Sequence, residues 1–200
     1  MIILPGGFFI KDMKIKSTTK LLDKADISRM IHRLTNEIVE KNDDPENLVL
    51  IGILSRGEPL AQRIKKNIGE LTQKNVELGT VNISFHRDDF MERLVVPQVK
   101  GTDISCSLDK KTVVLVDDVL YTGRTIRAAI DEILSFGRPE KIQLAVLVDR
   151  GHREMPIKAD FVGKNIPTNE GEHVNVYLHE VDGKDLVELR QYATGIDHAD

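Results

Sequence analysis

Two adjacent acids, Asp117 and Asp118, end the β-branched apolar run Val113-Val114-Leu115-Val116, and Thr122-Gly123-Arg124-Thr125 follows after three intervening residues. Neighbouring carboxylates repel one another and call for a cation or hydroxyl partner. A glycine-containing loop that opens onto a helix offers amides and the positive end of the helix dipole to an anion. Carboxylates at a strand tip hold sugar hydroxyls directly, or a metal through water. One ligand satisfies both halves: a ring carrying vicinal hydroxyls and a phosphate, a ribose 5-phosphate. Asp117 and Asp118 are therefore predicted to hold the ribose and, indirectly, a metal. The segment Tyr121, Thr122, Gly123, Arg124 and Thr125 is predicted to cradle the phosphate, with Leu120 among the residues that bind the ligand as a whole. Arg124 reads equally well as a solvated residue at a helix start.

The elements that must position these groups alternate. Asp23 or Asp26 can cap a helix whose apolar stripe is Ile27, Met30, Ile31, Leu34 and Ile38. Its other face carries Arg29, His32, Arg33 and Asn36, and Asn42-Asp43-Asp44-Pro45 ends it. Leu48–Ile53 is a short continuous apolar run, as in a buried parallel strand. The turn Ser55-Arg56-Gly57 leads into a helix with Leu60, Ala61, Ile64 and Ile68, and Val76–Phe85 alternates as a third strand. From His86 to Lys111 periodicity is lost, which in a compact domain marks a flap or a structureless segment. The strand and helix of the acidic motif come next (Ile126, Ala129, Ile130, Ile133), stopped at Gly137-Arg138-Pro139. Ile142–Val148 reads as another buried strand, Asp149–Thr168 as a polar loop, Val174–Val181 as a strand closing the main series, and Asp182-Gly183 as a turn. Such alternation implies an α/β fold, a doubly wound and mainly parallel sheet with right-handed crossovers. Ligands bind such sheets beyond the carboxyl ends of the strands. Ser55–Gly57, Asp117–Thr125 and Asp149–His152 all fall there, so one shared site is expected.

Bulk properties set bounds. A chain of 200 residues suffices for one full domain, read here as residues 13–200. Residues 1–12 (MIILPGGFFIKD) lack a basic start and a cleavage site, so they read as a peripheral extension rather than a signal peptide. A net charge of −4 gives no global pull on a polyanion. The lone Cys106 excludes an internal disulfide and suits a reducing, cytoplasmic setting. The six histidines show no metal-ligand spacing, and no apolar run approaches membrane-spanning length.

The stretch TVVLVDDVLYTGRT resembles the phosphoribosyl-diphosphate (PRPP) motif of type I phosphoribosyltransferases, a hydrophobic strand, two acids and Thr-Gly-x-Thr. The resemblance implies that family's fold, with a flexible flap and a small hood, and its chemistry: ribosyl transfer from PRPP to a nucleobase with Mg²⁺ and release of pyrophosphate. Ser55, Arg56 and Gly57 match the family's pyrophosphate loop, where amides and the arginine meet the leaving group. Arg87, in His86-Arg87-Asp88-Asp89, would contact pyrophosphate from a closing flap that excludes water. With Asp117 and Asp118, Arg56 and Arg87 form the expected catalytic set. Asp149, Arg150, Gly151 and His152, dense and polar after a buried strand, suit a base-binding lid; a charged loop paired within itself, as for Arg153 and Glu154, is the alternative.

Enzymes of the family that act on 6-oxopurines carry a third acid where this chain has Tyr121, which argues against hypoxanthine or guanine. VDDVLYTGRT, LVDRGHRE and VGKNIPT together look like the attenuation regulators of pyrimidine operons that are also uracil phosphoribosyltransferases, over about Leu21 to Leu189. That resemblance implies uracil and PRPP as substrates, UMP as product, a homodimer or higher oligomer, and binding of operon leader RNA strengthened by UMP or UTP. Residues 11–33 hold seven Lys/Arg against three Asp, a basic patch suited to RNA phosphates, with Arg29, His32 and Arg33 as the contacts. His32 and Asn36 stand where the attenuating relatives are expected to have Thr and His, a departure that bears on RNA more than on catalysis. A regulator with negligible catalysis and a purine salvage transferase are the competing functions.

Overall fold

The computed structural model describes residues 15–83 and 101–193. Chain order is β1 (Ile15–Leu22), α1 (Lys24–Lys41), β2 (Leu48–Ile53), α2 (Gly57–Thr72), β3 (Glu77–Val81), β4 (Thr112–Leu120), α3 (Arg124–Phe136), β5 (Lys141–Asp149), β6 (Phe161–Asn165), β7 (Glu172–Tyr177), α4 (His179–Asp182) and β8 (Leu186–Tyr192). The main sheet has five strands in the order β3-β2-β4-β5-β6, every neighbouring pair parallel. Its interior strands are apolar on both faces because helices cover both. Val114, Val116, Ala145 and Leu147 pack with α1 and α2, whereas Val113, Leu115, Leu144 and Val146 pack with α3.

The expected helices form where the apolar periodicity placed them. Both proposed caps of α1 act together: Asp23 accepts from the Asp26 amide and Asp26 accepts from the Asp23 amide, each at 3.0 Å, a capping box. Gly137 is the C-cap of α3.

Other segments differ from their expected form. The third strand ends at Val81 rather than running on towards Phe85. The polar stretch Asp149–Thr168 is not all loop, because β6 pairs inside it with β5 from Ala145↔Phe161 to Asp149↔Asn165. The region expected to close the main sheet belongs instead to a second, antiparallel sheet, β1-β8-β7, the hood, and the turn at Asp182 is the end of α4. Its strand β1 is nearly all exposed, Ile15–Leu22 alternating Lys, Ser and Thr with few apolar residues, so it carries no strong period-two signal. The flap with His86, Arg87, Asp88 and Asp89, and residues 1–12, lie outside the described residues.

Candidate active site at the strand switch

The order β3-β2-β4 reverses direction: the chain steps outward from β2 to β3 and then returns past β2 to β4. A crevice opens at such a switch beyond the carboxyl ends of the two strands. Those ends carry Ser55–Gly57 after β2 and Asp117–Thr125 at the end of β4. The register Gly52↔Val116 sets the acid pair level with the last residue of β2.

Close approach brings the two loops together. A Cβ on Gly57 would lie 2.3 Å from the Val116 carbonyl oxygen and 3.4 Å from the Asp117 Cα, so only glycine lets the start of α2 lie against the acidic strand end. Asp117 is 7% exposed and its Oδ1 accepts from the Asp118 amide at 2.9 Å. Burial pushes the Asp118 carboxyl above its ordinary value, opposed by its hydrogen bond with Asp117 and by the charge of Arg56. An acid pair held this way favours a ligand that brings hydroxyl donors or a cation.

Arg56 is part of the crevice but is also tied elsewhere. Its Nε donates to Asp182 Oδ2 at 3.0 Å and its Nη2 to Asp182 Oδ1 at 2.8 Å, a bidentate pair with the end of α4. Arg63, about two turns further along α2, pairs with Glu180 and Asp185 at 2.6 and 2.7 Å. The hood is therefore clasped to α2 beside the pyrophosphate-loop candidate. The Asp182 partner is a residue that strand and helix periodicity cannot reveal, since the pair spans 126 positions.

The phosphate-loop candidate is shaped by its glycine. Gly123 has φ +91° and is the N-cap of α3, with no acid in the helix's first turn. A Cβ there would meet Met155 Cβ at 3.0 Å, so both conformation and space demand glycine. Thr122 Oγ1 accepts from the Arg124 amide at 3.3 Å, and Arg124 Nε donates to Glu154 Oε2 at 2.7 Å. The loop amides thus stand at the positive end of α3, an arrangement that favours an anion.

The base-loop candidates after β5 stand beside this loop through the register Leu120↔Asp149. Arg150 is buried, its guanidinium 4.0 Å over the Tyr121 ring, and it donates to Thr168 Oγ1 at 3.2 Å and the Glu172 carbonyl at 2.8 Å. His152 has φ +57°, and its Nε2 lies 2.6 Å from the Thr168 carbonyl oxygen. Asp149 Oδ1 accepts from the Gly151 amide at 2.9 Å. Arg153 and Glu154 do not pair with each other: Arg153 pairs with Asp149 and Glu154 with Arg124.

The RNA candidates sit away from this crevice on α1. Arg29 pairs with Asp26 at 2.6 Å. Arg33 bonds Glu37 and the carbonyls of Val162 and Gly163, the last two on the edge strand β6, while His32 is exposed. Arg33 thus also serves the fold, satisfying edge carbonyls.

Among the described residues no three His, Cys, Asp or Glu side chains converge as a metal cage. The two oxygen-only side chains of Asp117 and Asp118 fit Mg²⁺, which keeps waters and completes its shell with a substrate's oxygens.

A parallel sheet with a carboxylate pair and a glycine loop at its switch point is the arrangement expected of a transferase of phosphorylated ribose. Residues 17–180 match the phosphoribosyl transferase domain, and the chain belongs to that family. Relatives named bifunctional protein PyrR are 52% identical in Clostridioides difficile (86% of this chain, 97% of the relative) and 53% identical in Thermus aquaticus (85% and 94%). The hypoxanthine-guanine phosphoribosyltransferase of Bacillus anthracis superposes with a TM-score of 0.65 at 19% identity, over 88% of this chain and 98% of its own. The Trypanosoma cruzi hypoxanthine phosphoribosyltransferase, in complex with the product IMP, gives 0.64 at 20%, over 86% and 89%. Those two likenesses establish the fold. Among the described residues no helix is long and apolar enough to cross a membrane.

Proposed function

We propose that the protein is a uracil phosphoribosyltransferase, forming UMP and pyrophosphate from uracil and PRPP, and that it also regulates pyrimidine genes through RNA. The observation that carries the catalytic reading is the meeting of the acid pair with Ser55–Gly57 at the switch between β2 and β4, with the phosphate-loop candidate at the end of the same strand. In this reading Asp117 and Asp118 hold the ribose hydroxyls, and the Leu120–Thr125 loop, with the α3 dipole, holds the 5-phosphate. Mg²⁺, held beside the acids through water, would offset the charge of the departing pyrophosphate. Ser55, Gly57 and Arg56 receive that group, with Arg87 from the flap. Reaction follows from in-line positioning and from charge placed where the leaving group develops it.

Tyr121 supports a pyrimidine. It stands where the purine enzymes carry a carboxylate, and Arg150 stacks on its ring, so no acid faces a purine N7 from this position. Asp149, Arg150, Gly151 and His152 form the wall against which the base is placed. Supplying the protein, Mg²⁺ and PRPP with each nucleobase in turn tests the reading. UMP from uracil is expected, without nucleotide from hypoxanthine or guanine; turnover of guanine and not uracil contradicts it.

The word bifunctional in the relatives' name favours the second role. Arg29, His32 and Arg33 on α1 are its contacts, and the chain acts as a homodimer or higher homo-oligomer in the cytoplasm. Binding to the leader of its own pyrimidine operon should strengthen with UMP or UTP and weaken steeply with salt. No binding at low salt contradicts the role.

A further inference from the structure

We infer that Arg153 is a positioning residue for ribosyl transfer, fixing the 5-phosphate loop against the base-binding loop without touching either substrate. The inference rests on the transferase reading above and adds a residue to it. The Arg153 guanidinium gathers acceptors from both strand ends. Its Nη1 donates to the Tyr121 carbonyl at 2.7 Å, to the Gly151 carbonyl at 3.1 Å and, at 3.5 Å, towards the Leu120 carbonyl. Its Nε donates to the Ile157 carbonyl at 3.0 Å, and its Nη2 to the carboxylate of Asp149. Four backbone carbonyls and a carboxylate thus converge on one side chain that is 23% exposed.

Two of those carbonyls belong to Leu120 and Tyr121, the first residues of the phosphate loop. The other two, of Gly151 and Ile157, belong to the segment after β5, and Asp149 is the last residue of that strand. The same segment reaches the loop again where the Glu154 and Met155 amides donate to the Thr122 carbonyl at 2.9 and 3.0 Å. Met155 also fills the space beside Gly123. The 5-phosphate loop is therefore moulded on the 149–157 segment, and Arg153 supplies the charge at the centre of the mould. Only a planar fork with five donors bridges so many acceptors; an ammonium keeps the charge but not the geometry. None of its bonds reaches Ser55–Gly57, so its effect is confined to the phosphate and base side of the crevice.

Steady-state kinetics of Arg153→Lys and Arg153→Met against the unaltered protein test this. In both variants KM for PRPP and the inhibition constant of ribose 5-phosphate should rise together by about ten-fold or more, less in the lysine variant, as expected for lost bonds to a charged donor. The inhibition constant of pyrophosphate should stay within about two-fold, because its loop is not among the acceptors, a fold-change small beside one charged hydrogen bond. A merely structural role lowers the active fraction, and with it kcat, while leaving KM and both inhibition constants in place; that result overturns the inference. Equal weakening of ribose 5-phosphate and pyrophosphate also overturns it. Failure of the unaltered protein to make UMP would reject the transferase reading instead, which separates the two.

Discussion

At the residue scale, the site depends on charges that are placed before any ligand arrives. Asp118 sits near the carboxyl end of the central strand β4 with its carboxyl pushed up by burial, and the charge of Arg56 opposes that shift. Replacing Asp118 by Asn keeps the shape and removes the charge, and kcat/KM for PRPP should fall by about 100-fold or more with the melting temperature little changed. Gly123→Ala places a side chain at φ +91° and against Met155, so loss of PRPP binding is expected, measured by titration calorimetry, while the global fold persists. Both residues were readable in the sequence because neighbouring acids and a Thr-Gly-x-Thr loop have few other uses. Asp182 and Arg153 were not. Their roles arise from contacts across 126 and 32 positions, which no local pattern encodes.

At the element scale, the strongly periodic segments announced themselves. β2 and β4 are continuous apolar runs, and α1 and α3 keep a clear stripe, so the elements that carry the acids and the loops were legible. β1, β6 and β8 were not, for a common reason. Edge and hood strands bury little, and exposed Lys, Ser and Thr in β1 hide the alternation that marks a half-buried strand. β5 contains one element-level anomaly. Gln143 is 2% exposed, and neither its side-chain oxygen nor its nitrogen bonds a protein group among the described residues. An unsatisfied buried amide costs about 1–3 kcal/mol. Gln143→Leu should therefore raise the denaturation midpoint in urea without altering KM for either substrate; a lowered midpoint would contradict the burial argument.

At the scale of the whole molecule, the hood is joined to the parallel domain by Arg56, at the head of α2, and Arg63, within it, facing three acids. Arg56 holds the Asp182 carboxyl below its ordinary value, and Arg63 does the same for Glu180. For Asp185 burial acts upward, but Arg63 and the His179 amide outweigh it and the net direction is down. Groups whose folded pKa lies below the unfolded one add stability above the unfolded value and lose it as pH falls through the folded one. The ordinary values here are 3.8 for aspartate and 4.5 for glutamate, so hood attachment should hold from neutrality to near pH 5 and weaken below about 4. Amide hydrogen exchange in β7 and β8 should accelerate across that range before exchange in β4 does. Uniform acceleration through both sheets would contradict a hood held by these pairs. Family membership and parallel architecture were both legible in one central motif, whereas the division into two sheets was not, because it depends on pairing between β1 and β8 at opposite ends of the chain.

The most direct measurement is a crystal structure with PRPP and Mg²⁺ bound. The ribose hydroxyls should lie against Asp117 and Asp118, the 5-phosphate against the amides of residues 121–125, and the pyrophosphate beside Ser55–Gly57. Density for the ligand anywhere else, with the end of β4 bare, would contradict the account at its centre.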